Sequence, residues 1–110
     1  MPDMTAHEKQ VFREAIETYG EAQQLIVLFE EMSELQKEIC KCIRYSVTAR
    51  RNHVEEEIAD VLIMLDQARM ILELDDDNIE MWRLDKVARL QQRLDDEKNG
   101  GKRHYSKAVD

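Results

Sequence analysis

The spacing of apolar positions predicts four helices joined by short links. Thr5-Ala6-His7-Glu8 has the form of a capping box, with Thr5 as N-cap and an acid three residues on. Behind it Phe12, Ile16 and Tyr19, flanked by Val11 and Ala15, recur at the helical period, and Gly20 is a natural stop. A second helix is expected from Glu21 into the low forties, with Leu25, Leu28, Phe29, Met32, Leu35, Ile39 and Cys42 as one apolar stripe. Tyr45 to Arg51 loses the pattern and reads as a connection. Asn52-His53-Val54-Glu55 then repeats the cap-and-acid signature and opens a third helix reaching to about Leu74. Its Ile58, Val61, Leu62, Ile63, Met64, Leu65, Ile71 and Leu72 leave little polar circumference. Such a helix is buried on nearly all sides, more than one small bundle encloses, so a homodimer or higher homo-oligomer is expected. Asp77-Asn78-Ile79-Glu80 opens a fourth helix, with Ile79, Val87, Leu90 and Leu94 as its inward stripe and Gly100-Gly101 as its end. Short links give antiparallel neighbours. The expected fold is all-α: an antiparallel four-helix bundle in a single domain over 1–99, with 100–110 as a flexible tail.

Against this apolar background two acidic blocks stand out, Glu30-Glu31-Met32-Ser33-Glu34 and Glu57-Ile58-Ala59-Asp60. Residues three apart share a helix face, so Glu31 pairs with Glu34 and Glu57 with Asp60. If the second and third helices are neighbours, four carboxylates converge. Packed like charges repel unless something cancels them, and oxygen-only ligands suit a hard divalent ion such as Mg²⁺, with Mn²⁺ as a substitute. Glu30, Glu38, Glu55 and Glu56 read as a solvated face, whereas Asp60, between Ile58-Ala59 and the run Val61–Leu65, is costly to bury without a partner. One geometric condition attaches. Glu34 lies roughly 18 Å before the end of its helix at 1.5 Å per residue, while Glu57 lies about one turn into the next. A simple hairpin would leave them at different levels, so either the second helix ends near Cys42 or the connection climbs back.

Composition narrows the classes. A chain of 110 residues with a formal net charge of −8 is ill suited to nucleic acid, and one proline and three glycines agree with few turns. No apolar run exceeds five residues, too short for a membrane span, and the N-terminus lacks a basic and apolar leader. Cys40 and Cys42 are two apart on a helix and form neither a zinc set nor a disulfide framework, which fits reduced thiols and a cytoplasmic location.

The paired pattern Glu-Glu-x-x-Glu, followed some twenty residues later by Glu-x-x-Asp, resembles the signature of the all-α nucleoside triphosphate pyrophosphohydrolases. That superfamily includes the MazG-like enzymes and the dimeric dUTPases. The segments Glu30-Glu31-Met32-Ser33-Glu34-Leu35 and Glu56-Glu57-Ile58-Ala59-Asp60-Val61-Leu62 carry the likeness. Lys86-Val87-Ala88-Arg89-Leu90 with Arg93-Leu94 resembles the end of compact, phage-type members. The resemblance implies Mg²⁺ ligands at Glu31, Glu34, Glu57 and Asp60, with Glu31 or Glu34 taking the proton of an attacking water. It implies hydrolysis between the α and β phosphorus atoms of a nucleoside triphosphate, giving monophosphate and pyrophosphate.

A triphosphate also needs cations. Lys41 lies one helical step from Glu38 and serves equally as a phosphate contact or as a surface ion pair. Trp82, Lys86, Arg89 and Arg93 form a stripe that either closes over phosphates or, more commonly, is a solvated face. Arg50 and Arg51 carry the same ambiguity. His7, His53 and His104 have no catalytic spacing, and Ser33 lacks a histidine partner. A di-iron carboxylate bundle is disfavoured, because Glu34 and Asp60 stand where that site needs histidines. The competing class is a non-catalytic helical adaptor, which would leave the inward acids unexplained.

Overall fold

The computed structural model describes residues 3–100, and the regular structure among them is all helical. It comprises α1 (Ala6–Tyr19), α2 (Glu21–Arg44), α3 (Val47–Ile71) and α4 (Asp76–Lys98). The chain divides at Leu74/Asp75 into two compact units, one holding α1–α3 and one holding α4.

The capping box forms as expected. Thr5 Oγ1 accepts from the Glu8 N–H at 3.1 Å, and Glu8 Oε1 accepts from the Thr5 N–H at 2.8 Å. Gly20, at φ +91°, closes α1 and opens α2 in a single residue, a left-handed position that a β-carbon would strain.

The α2–α3 link corrects the sequence reading. It consists of Tyr45 and Ser46 alone, and α3 begins at Val47, not at Asn52. The β-branched Val47 and Thr48 and the adjacent Arg50 and Arg51 read as a break, yet Arg50 is tied across to Glu38 on α2. That tertiary contact outweighs local propensity. The extra turn removes the levelling problem: Glu31 stands thirteen residues before the end of α2, and Asp60 thirteen after the start of α3. Neither an early stop of α2 nor a climbing connection is needed.

The two helices run antiparallel, since the partner number on α3 falls as the number on α2 rises. Leu28, Met64 and Ala68 form the buried cluster between them, with Leu25, Val27 and Leu65 packed at its edge. α1 packs on both helices and buries Phe12. Ile58, Leu62 and Ile63 remain more than a third exposed, so α1 and α2 do not enclose α3 on nearly all sides. α3 ends at Ile71, where the Leu74 N–H donates to the Arg69 carbonyl across Glu73, a non-glycine residue at φ +51°.

In the second unit, Asp75 and not Asp77 caps α4; its carboxylate accepts from the N–H groups of Asp77 (2.9 Å) and Asn78 (3.2 Å). Ile79, Val87 and Leu94 stand exposed on α4, which buries no residue. The helix ends at Lys98 with Asn99 as its cap; Gly101, the tail Lys102–Asp110 and His104 lie outside the described residues. Among the described residues no helix is long and apolar enough to cross a membrane.

Candidate metal centre

Side chains at one repeating position of α2, seven residues apart at Gln24, Glu31 and Glu38, reach α3 and make three polar rungs in an otherwise apolar seam. In the first, Gln24 Nε2 donates to Gln67 Oε1 at 2.7 Å, with both residues buried. In the third, Arg50 grips Glu38: Nε donates to Oε2 at 3.0 Å, and Nη2 lies 2.8 Å from Oε1 and 2.7 Å from Oε2. Each of these rungs matches a donor to an acceptor. The two-pronged Arg50 hydrogen bond, with its charge and that of Lys41, holds the Glu38 carboxyl below the ordinary value.

The middle rung differs in kind. Glu31 meets Glu57 and Asp60, three half-buried carboxylates each offering an oxygen within 4.8 Å of the others. Ionised carboxylates only accept hydrogen bonds, so with all three ionised the rung holds acceptors and no donor, and Glu31 and Glu57 share a hydrogen bond only when one of them keeps its proton. Glu57 Oε2 is buried without a hydrogen-bond partner. Burial, the Asp60 charge, and then the hydrogen bond and charge of Glu57 push the Glu31 carboxyl above its ordinary value of 4.5, with a smaller push from Glu34.

Of the four ligands the resemblance implies, the structure brings together Glu31, Glu57 and Asp60. Glu34 is exposed one turn along α2, where its Oε1 lies 3.2 Å from Lys37 Nζ. Lys41 lies 3.4 Å from Glu38, the ion pair foreseen as one of its two roles. Glu30, Glu55 and Glu56 are solvated, as expected, but Glu38 is not: its side chain is only 12% exposed against Arg50. In the α4 unit, Lys86 Nζ sits 5.9 Å from the centre of the Trp82 ring, and Arg89 pairs with Asp85 at 2.9 Å.

Comparison with protein-family models, curated proteins and solved structures finds no match to this chain. Three carboxylates without histidine or cysteine suit a hard, oxygen-seeking cation and fit Mg²⁺ or Mn²⁺ better than zinc or copper. Mg²⁺ in particular binds through few carboxylates and keeps waters, so three ligands with open solvent on the Glu34 side are compatible with it.

Sequence reasoning missed the Gln24–Gln67 and Glu38–Arg50 rungs. Their signal is the seven-residue spacing 24, 31, 38 on α2, repeated by Arg50 and Glu57 on α3. A polar residue recurring at a seam position marks register in paired helices.

Proposed function

We propose that this chain is a Mg²⁺-dependent nucleoside triphosphate pyrophosphohydrolase. One observation supports a cation above all: Glu57 Oε2 is buried with no donor, opposite two further carboxylates, while the rungs on either side are fully paired. A protein that needed only a polar seam would place a donor there, as it does at Arg50. The reaction itself rests on the resemblance of the two acidic segments to the MazG-like enzymes. Glu31, Glu57 and Asp60 would hold the ion, and Glu34 stands exposed one turn along α2. Bound there, the ion neutralises phosphate charge and makes a water more acidic. Glu34, solvated and one turn from Glu31, would accept that proton, and Lys37 and Lys41 would offer positive charge on the same exposed stretch to phosphates.

The test is pyrophosphate release from a panel of nucleoside triphosphates, with Mg²⁺ and with EDTA. Metal-dependent release by the parent, lost in Glu57→Gln and Asp60→Asn, is the expected result. The adaptor reading predicts silence across the panel. A parent that neither releases pyrophosphate nor gains thermal stability with Mg²⁺ or Mn²⁺ overturns the enzyme reading and leaves the acids structural.

A further inference from the structure

α2 carries two seams. One (Gln24, Leu28, Glu31, Leu35, Glu38, Cys42) faces α3. The other lies one residue further on at each step: Leu25, Phe29, Met32, Gln36, Ile39 and Ile43, spaced four, three, four, three and four apart. That is the heptad alternation of a helix made to pair with another helix. Only Leu25 at its end is drawn into the core; Phe29 is 65% exposed, Met32 and Ile39 44% each, and Ile43 80%. No other helix face in the α1–α3 unit carries so long an exposed heptad; on α3 the exposed Ile58 and Leu62 are followed at that alternation by Leu65, packed against the core, and by the buried Arg69.

We propose that this second seam pairs with the same seam of a second copy of the chain, antiparallel, about a two-fold axis near Ser33 and Glu34. Seam positions of antiparallel helices meet in alternating layers. The register that buries the most apolar surface sets Phe29 against the partner's Ile39, Leu25 against the partner's Ile43, and Met32 against the partner's Gln36. Small or apolar residues (Ile26, Ser33 and Cys40) border the seam, so no charge is trapped at its edge. Outside that border the charges complement one another. Glu30 of one copy falls beside the partner's Lys37, whereas a parallel pair would stack Glu30 on Glu30 and Arg44 on Arg44. A symmetric contact needs a self-complementary patch, and this one is acidic at one end and basic at the other. The pairing stands independently of the metal reading, because Glu31, Glu57 and Asp60 lie on the other seam.

Sedimentation equilibrium of the full chain tests it, with circular dichroism as a folding control. The parent is expected to be dimeric. Phe29→Glu and Ile39→Lys, both at exposed positions, are each expected to weaken self-association at least tenfold while keeping helix content. Combining them in one chain should restore the dimer, because each new acid then faces the partner's new lysine. Orientation follows from spin labels on a background of Cys40→Ser and Cys42→Ala. Labels at Ser33 approach each other closely, while labels at Arg44 stand roughly 30 Å apart, about twenty residues of helix at 1.5 Å each. A monomeric parent, single variants that still dimerise, or a short separation at Arg44 each overturns the proposal.

Discussion

On the proposed reading, Glu31 couples proton, metal and stability in one side chain. Its folded-state value is raised above 4.5, so the folded chain holds this proton more readily than the unfolded chain does. The stability it contributes is complete below 4.5 and is lost as pH rises through that value towards the raised one. Glu31→Gln cannot ionise. Without divalent metal it should match the parent in acid and melt a few degrees above it at neutral pH, since about 1 kcal/mol moves a small domain's melting point by that much. Mg²⁺ should reverse the order, because the parent then gains a ligand and the variant does not. Melting curves across pH, with and without Mg²⁺, decide this; a variant that melts below the parent at neutral pH without metal contradicts it. Arg50 acts at one remove. By gripping Glu38 it sets the level of α3 against α2, and so the distance from Glu31 to Glu57. Arg50→Gln should weaken Mg²⁺ binding, by less than the roughly tenfold usual for a residue bonded directly to a ligand. An unchanged affinity by calorimetry would detach the rung from the site.

At the scale of the element, the buried amide pair invites a cycle. Gln24→Leu strips Gln67 Oε1 of its donor, Gln67→Leu strips Gln24 Nε2 of its acceptor, and either alone should cost about 1–3 kcal/mol, while the double variant should recover most of that loss. Chemical denaturation of the four proteins measures the coupling; additive losses would mean that the amides do not sustain each other. Glu73 offers the opposite sign. Held at φ +51° beyond α3, it gives up roughly 1 kcal/mol that Glu73→Gly should return, read as a higher denaturation midpoint. The first helix was fully legible in the chain because its signals are local: a capping box and a glycine stop. The start of α3 was not, because the contact that extends it, Arg50 to Glu38, spans twelve residues of sequence. The α2 stripe was legible as apolar but not as double. Periodicity places Leu28 and Phe29 on the same broad face, and only packing sends Leu28 inward to α3 and leaves Phe29 outside. For the same reason the acids seemed to flank the stripe, whereas Glu31 and Glu38 lie within the inner seam and Glu34 lies outside it. A three-residue spacing puts Glu31 and Glu34 on one side of the helix, but a site narrower than a helix face takes one and leaves the other to solvent.

For the whole molecule, the division at Leu74/Asp75 separates the acids that the resemblance implies as metal ligands from the basic stripe whose spacing offers phosphate contacts. Glu31, Glu57, Asp60, both supporting rungs and the core of Leu28, Met64 and Ala68 all belong to the α1–α3 unit. Lys86 and Arg89 belong to α4, where Trp82 and Asp85 already engage them. On the proposed reading, a chain ending at Leu74 should therefore keep helices α1–α3, losing only the signal of α4, and should keep a Mg²⁺-dependent rise in melting temperature, because every oxygen of the cluster and the packing that holds it are retained. Its hydrolysis then reports on α4 alone. If Lys86 and Arg89 bind phosphates, the shortened chain should retain the metal response and lose activity, and Lys86→Ala with Arg89→Ala in the full chain should raise KM without moving the metal-dependent melting shift. If they are a solvated face, both proteins should turn over as the parent does, and the phosphates must be met by cations of the α1–α3 unit, Lys37 and Lys41 on α2 among them. Loss of the metal response itself on shortening would instead place part of the metal site beyond Leu74, contrary to the three-carboxylate centre described above.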